Sequence, residues 1–159
     1  YEGDFISVRK PIPWSAGKYT YSLRVVETAE EKGETFTWIG GFVREHKTDT
    51  ETSIGALRFE GKNLTFWKRH SAFVEVYATA KIRRSKIPTV SVAFGIPRVN
   101  GKPASVASAS AYYPNRGGAA SPDCARVIAQ GDQAVVELTP EIFQRDEKRR
   151  RHPVALKSR

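Results

Sequence analysis

The stretch Tyr19-Thr20-Tyr21-Ser22-Leu23-Arg24-Val25 decides the fold. Its large apolar side chains fall on the odd positions and its polar ones on the even positions. Successive side chains of a strand point to opposite faces, so this period predicts a strand with one buried face. The run Thr35-Phe36-Thr37-Trp38-Ile39 repeats the pattern, and Gly40-Gly41 interrupts it before Phe42-Val43. A glycine pair inside a strand predicts a bulge or a close backbone approach.

Working outward, the same reading places strands at 53–59, 63–68, 73–80, 89–96, 105–113, 125–129 and 134–138. Turn signals separate them: Glu60-Gly61-Lys62-Asn63, Asn100-Gly101, Asn115-Arg116-Gly117-Gly118 and Gly131-Asp132. Asn and Gly tolerate the positive φ that a type I′ turn demands, so Asn100-Gly101 predicts a hairpin. Ala29 to Lys32 reads as a charged hairpin tip. Thr139-Pro140-Glu141 starts at most a helical turn. Many short strands with regular turns predict an all-β antiparallel two-sheet β-sandwich of jelly-roll-like character. We expect a single domain over 1–159 with a basic C-terminal tail from about 145.

The composition, 40% hydrophobic and 27% charged, is that of a globular chain rather than a disordered one. No apolar run approaches the roughly 18 residues of a membrane helix. The chain lacks Met and starts at Tyr1, which leads us to expect a processed or trimmed piece of something longer. With Cys124 alone, no internal disulfide forms; an inert buried thiol is expected there. The net charge of +9 would attract nucleic acid, acidic polysaccharide or an anionic surface. The cations cluster at Lys81-Ile82-Arg83-Arg84-Ser85-Lys86 and at Lys148-Arg149-Arg150-Arg151. Neither run interleaves aromatics, so solvated loops are expected and nucleic acid is not the favoured partner.

His46, His70 and His152 have no metal-ligand spacing, and neither metal nor cofactor is expected. Glu75 lies between Phe73 and Tyr77 on one face of an expected strand, where a carboxylate flanked by rings can line a sugar cleft. Hydrolysis needs a second carboxylate, and Glu45, Asp123 and Glu137 are unassigned alternatives. The aromatics carry more. Sugars stack their C–H faces on flat rings and hydrogen-bond to polar neighbours. Tyr112-Tyr113-Pro114-Asn115-Arg116 offers rings, an amide and a guanidinium, and Trp67-Lys68-Arg69-His70 offers a ring beside polar groups. Adjacent tyrosines on a strand face opposite sides, so at least one of Tyr112 and Tyr113 is expected to face solvent. Trp14, Trp38 and Phe42 are expected in the core.

The stretch Pro13-Trp14-Ser15-Ala16-Gly17-Lys18-Tyr19-Thr20-Tyr21 resembles the W-x-x-G-x-Y-x-x-x-v opening of an uncharacterised bacterial family. Ser71-Ala72-Phe73-Val74-Glu75-Val76-Tyr77 resembles its S-F-x-E-x-y segment, and Trp38 to Val43 and Ile54 to Phe59 fit the intervening strands. The resemblance spans roughly Ile12 to Arg98. It implies a β-rich domain of exported proteins, often beside carbohydrate-active modules, and hence an extracellular or periplasmic setting. The expectation is a non-catalytic glycan-binding module with Tyr112, Tyr113, Asn115, Arg116, Trp67 and Glu75 as ligand residues, and an acidic polysaccharide fits the charge. Its rivals are a glycosidase or lyase using Glu75 and an interaction module using the basic loops.

Overall fold

The structure, a computed structural model, describes residues 6–66, 69–76, 82–113, 123–144, 146 and 149–157. Strand makes up 48% of the described residues, and no α-helix occurs among them, so the all-β class holds. Every strand pairing is antiparallel. The sheets are small and compatible with a sandwich. Contacts gather into two compact units, Tyr1–Arg69 and His70–Arg159.

The first unit is a meander of three long strands, β1 (Tyr19–Glu31), β2 (Glu34–Glu45) and β3 (Thr50–Glu60), in the order β1-β2-β3. Lys32 and Gly33, both at positive φ, make the two-residue turn between β1 and β2. The glycine pair acts as expected. A side chain at Gly40 would meet Val26 at 2.7 Å and Phe42 at 2.9 Å, and the β2–β3 register shifts between Gly41 and Phe42. The β1–β2 register shifts once as well, between Val25 and Glu27. Such bulges invert the face on which every later residue of the strand lies.

One face of this sheet carries aromatics under cations. The Arg24 guanidinium lies 3.6 Å from the Phe42 ring centroid, and Arg58 lies 4.4 Å from that of Phe36. Arg24 also pairs with Glu51, and Arg58 with Glu31. On the other face, the N-terminal arm crosses β3: Val8 packs over Gly55, and Lys10 Nζ donates to Ser53 O at 3.0 Å. The arm leaves the β1 side of that face bare. Tyr21 and Val25 are more than half exposed, not buried as their alternation predicts. Thr37, on β2, is the most buried side chain among the described residues, and its hydroxyl donates to Gly61 O at 2.6 Å.

The second unit pairs β4 (Val90–Gly95), β9 (Gln133–Leu138) and β8 (Ala125–Gln130) in the order β4-β9-β8. The hairpin of β5 (Arg98–Val99) and β6 (Lys102–Pro103) turns at Asn100 and Gly101, both at positive φ as expected. β7 (Ser110–Tyr112) pairs with β10 (Arg151–Pro153). Within the basic segment after about 145, Arg151 is on a strand, and Val154 joins Ala111 and Tyr113 in a small core. Arg84 is likewise tied, in a two-point contact, to Asp123. The strands expected at 63–68 and 73–80 do not form over their described parts, 63–66 and 73–76, and of 105–113 only Ser110–Tyr112 is strand.

Two measurements check this account. Thr37→Val leaves Gly61 O without its donor and is expected to lower unfolding stability in urea by about 1–2 kcal/mol, whereas a neutral change would contradict the hydrogen bond. The side-chain hydrogen bond from Arg24 holds the Glu51 carboxyl below its usual value; partial desolvation opposes this, and the charges of Arg24 and Arg44 reinforce it. A lowered folded value means that the contribution to stability is whole above the ordinary carboxylate range and is lost as pH falls through the lowered value. In Arg24→Gln the Glu51 midpoint, read by carboxyl NMR, should rise; an unmoved midpoint would contradict the assignment.

Candidate functional site

The turn from the N-terminal arm into β1 is built around one hydroxyl. Tyr19 Oη accepts the Ser15 N–H at 3.3 Å, and its own proton is shared between Ser15 O at 3.1 Å and Glu45 Oε1 at 3.3 Å. The Trp14 ring meets Tyr19 edge-on, with centroids 4.6 Å apart and planes at 63°. Trp14 is 62% exposed, so it presents a ring to solvent rather than filling a core as the sequence suggested. Its signal was present in the sequence: Trp14 sits among Pro13 and Ser15-Ala16-Gly17, a loop composition, and not in an alternating run.

Beside this ring pair lies a cleft of about 230 Å³. Val43 forms its apolar floor, with Ile12, Pro13 and Tyr19 as walls. Its polar lining is Glu45, Thr48, Thr50 and Thr52. The ladder explains the grouping. Tyr19 is paired with Glu45 and Glu45 with Thr50, while Val43 is paired with Thr52, so all stand on one face. The bulge at Gly41/Phe42 matters here: without it, Ser53 and Glu51 would take the places of Thr52 and Thr50. Glu45 is held from two sides, because Thr48 Oγ1 donates to its Oε2 at 2.7 Å. The cleft thus combines the half-buried Tyr19 ring, a fixed carboxylate and three hydroxyls, with the exposed Trp14 ring packed on Tyr19 at its side. It is smaller than the roughly 300–1,000 Å³ of drug-sized pockets, a size for one ring of a ligand rather than a large molecule.

The residues singled out from sequence fall elsewhere. Tyr112 and Tyr113 do face opposite ways. Tyr112 is half exposed, with the Arg151 guanidinium 5.1 Å from its ring centroid. Tyr113 is buried, and its hydroxyl accepts the Val127 N–H at 2.8 Å. Tyr113 also walls a second cleft, of about 310 Å³, together with Arg126, Phe143, Gln144 and His152. The polar groups there are largely committed: Arg126 pairs with Glu137 and lies 4.5 Å from the Phe143 centroid, and a His152 ring nitrogen is 2.9 Å from Arg149 O. Glu75 is exposed on an irregular segment and lines neither cleft, and its neighbour Phe73 is equally open. Asn115, Arg116 and Trp67 lie outside the described residues. Cys124 is half-buried. Among the described residues, no group of His, Cys, Asp and Glu is arranged to hold a metal ion.

The Tyr19 pin has a direct readout. In Tyr19→Phe the Ser15 amide loses its acceptor and should exchange with solvent faster, by about five- to tenfold if one hydrogen bond of roughly 1–1.5 kcal/mol is lost; unchanged exchange would show that the turn stands without it.

In a comparison with known proteins, no family model matches the chain, and no curated protein or solved structure matches it.

Proposed function

We propose that the chain is a non-catalytic glycan-binding module whose site is the cleft beside Trp14. The observation that carries this reading is the exposed Trp14 ring, packed edge-on against Tyr19, which itself lines the cleft with a fixed carboxylate and three hydroxyls. A pyranose presents one apolar C–H face and a rim of hydroxyls. The face stacks on a flat ring, and the rim donates to Glu45 and exchanges hydrogen bonds with Thr48, Thr50 and Thr52. Glu45 repels uronates, so this site fits a neutral sugar, in place of the acidic polysaccharide that the net charge alone suggested. The resemblance to exported β-rich domains supports an extracellular or periplasmic setting. No helix among the described residues is long and apolar enough to cross a membrane.

The geometry does not favour hydrolysis. A glycosidase sets two carboxyl groups about 5–10 Å apart across the scissile bond, and this cleft is lined by one, Glu45. Glu75 is not among its lining residues.

The test is a glycan array followed by calorimetry on the purified chain. Binding of a neutral oligosaccharide should weaken at least about tenfold, the equivalent of ~1.4 kcal/mol, in Trp14→Ala and in Glu45→Gln, with no reducing ends released. Binding that survives both substitutions, or an array that stays blank, would overturn the reading.

A further inference from the structure

Among the described residues, β1 has a hydrogen-bonded neighbour strand on one side only. It is thirteen residues long, and nearly all of its side chains are exposed. A strand edge of this length is a template for another strand. The direction of its free backbone groups follows from the ladder. The His46 N–H donates to Lys18 O at 3.0 Å, so Lys18 turns toward β2. By antiparallel alternation, Tyr19, Tyr21 and Leu23 turn their N–H and C=O groups outward. Past the bulge the register resumes at Glu27↔Trp38, so Thr28 and Glu30 are the outward residues there.

Charge is divided along the same strand. Lys18 and Arg24 precede the bulge, and Glu27, Glu30 and Glu31 follow it. We infer that β1 pairs antiparallel with β1 of a second copy of this chain across a two-fold axis, joining the two meanders into one continuous sheet. Antiparallel self-pairing sets each strand's basic half against the other's acidic half, an isologous contact in which each favourable pair occurs twice.

One register satisfies both ladder and charge. Placing Leu23 opposite the partner's Thr28, and Tyr21 opposite the partner's Glu30, matches outward groups with outward groups. Arg24 then stands opposite the partner's Glu27 in a non-hydrogen-bonded pair, where side chains approach most closely. The bulge makes this possible. Counted by period two alone, positions 24 and 27 lie on opposite faces, but the extra residue between Val25 and Glu27 puts both on the Phe42 face. The groups are available for it. Arg24 bonds Glu51 through its two terminal nitrogens, which leaves Nε–H, and neither Glu27 nor Glu30 has an ion-pair partner among the described residues.

Sedimentation velocity of the full chain over a concentration series tests the inference, with circular dichroism as the check on folding. The wild type should show a concentration-dependent dimer. Glu27→Arg sets like charges together twice and should weaken dimerisation about tenfold or more, Glu27→Gln less, given that cross-strand charge pairs contribute roughly 0.2–1 kcal/mol each. Arg24→Glu alone should also be monomeric, but mixed with Glu27→Arg it restores both pairs, and the mixture should dimerise again. Where Arg24→Glu fails to fold, the order wild type, Glu27→Gln, Glu27→Arg carries the test. A wild type that stays monomeric up to millimolar concentration, a dimer indifferent to Glu27→Arg, or two folded variants that do not rescue each other would overturn the inference.

Discussion

The first unit depends on one steric fit: Val26 over Gly40. β1 carries one residue more than β2 between Val25 and Glu27, and the surplus side chain needs room. A Cβ at Gly40 would lie 2.7 Å from Val26 and 2.9 Å from Phe42, so any other residue there would force these side chains to shift. Holding the bulge fixes both halves of β1 at once. Before it, Tyr19 is opposite Glu45 and the cleft can form; after it, Glu27 and Glu31 share a face with Arg24 and Phe42. A slip of one residue would send each of these side chains to the other face.

The second bulge, at Gly41/Phe42, completes the division of labour between the faces. It turns Thr50 and Thr52 toward Glu45 and sends Glu51 to Arg24. One face therefore offers hydroxyls and a carboxylate beside Trp14, and the other carries guanidinium groups stacked on rings. Few side chains among the described residues are fully buried, so the sheets rest on backbone ladders and cross-strand pairs more than on a thick core. Under that constraint, large side chains such as Tyr21, Leu23 and Val25 stay exposed on β1.

Period-two alternation made the long strands legible, and Asn100-Gly101 declared its turn. The glycine pair announced irregularity but not its consequence, because a bulge changes which residues share a face without changing local composition. The alternation at 63–66 and 73–76 misled for a related reason: β propensity describes fitness for a pleated, half-buried surface, and these segments pair with no strand. The opposite facing of Tyr112 and Tyr113 followed from strand parity alone. The cleft did not. It needs residues from the arm, β1, β2 and the turn after it, and β3, and only the register brings Ile12, Tyr19, Glu45 and Thr50 together.

The most direct measurement is the indole N–H region of a two-dimensional NMR spectrum of the labelled chain during titration with a neutral oligosaccharide. The sequence has three tryptophans, at positions 14, 38 and 67, and hence three indole resonances. The account predicts that the Trp14 resonance moves progressively with sugar while that of Trp38, on the opposite face of the sheet, stays in place. Movement of Trp38 with Trp14 unchanged, or no movement at any concentration, would contradict it.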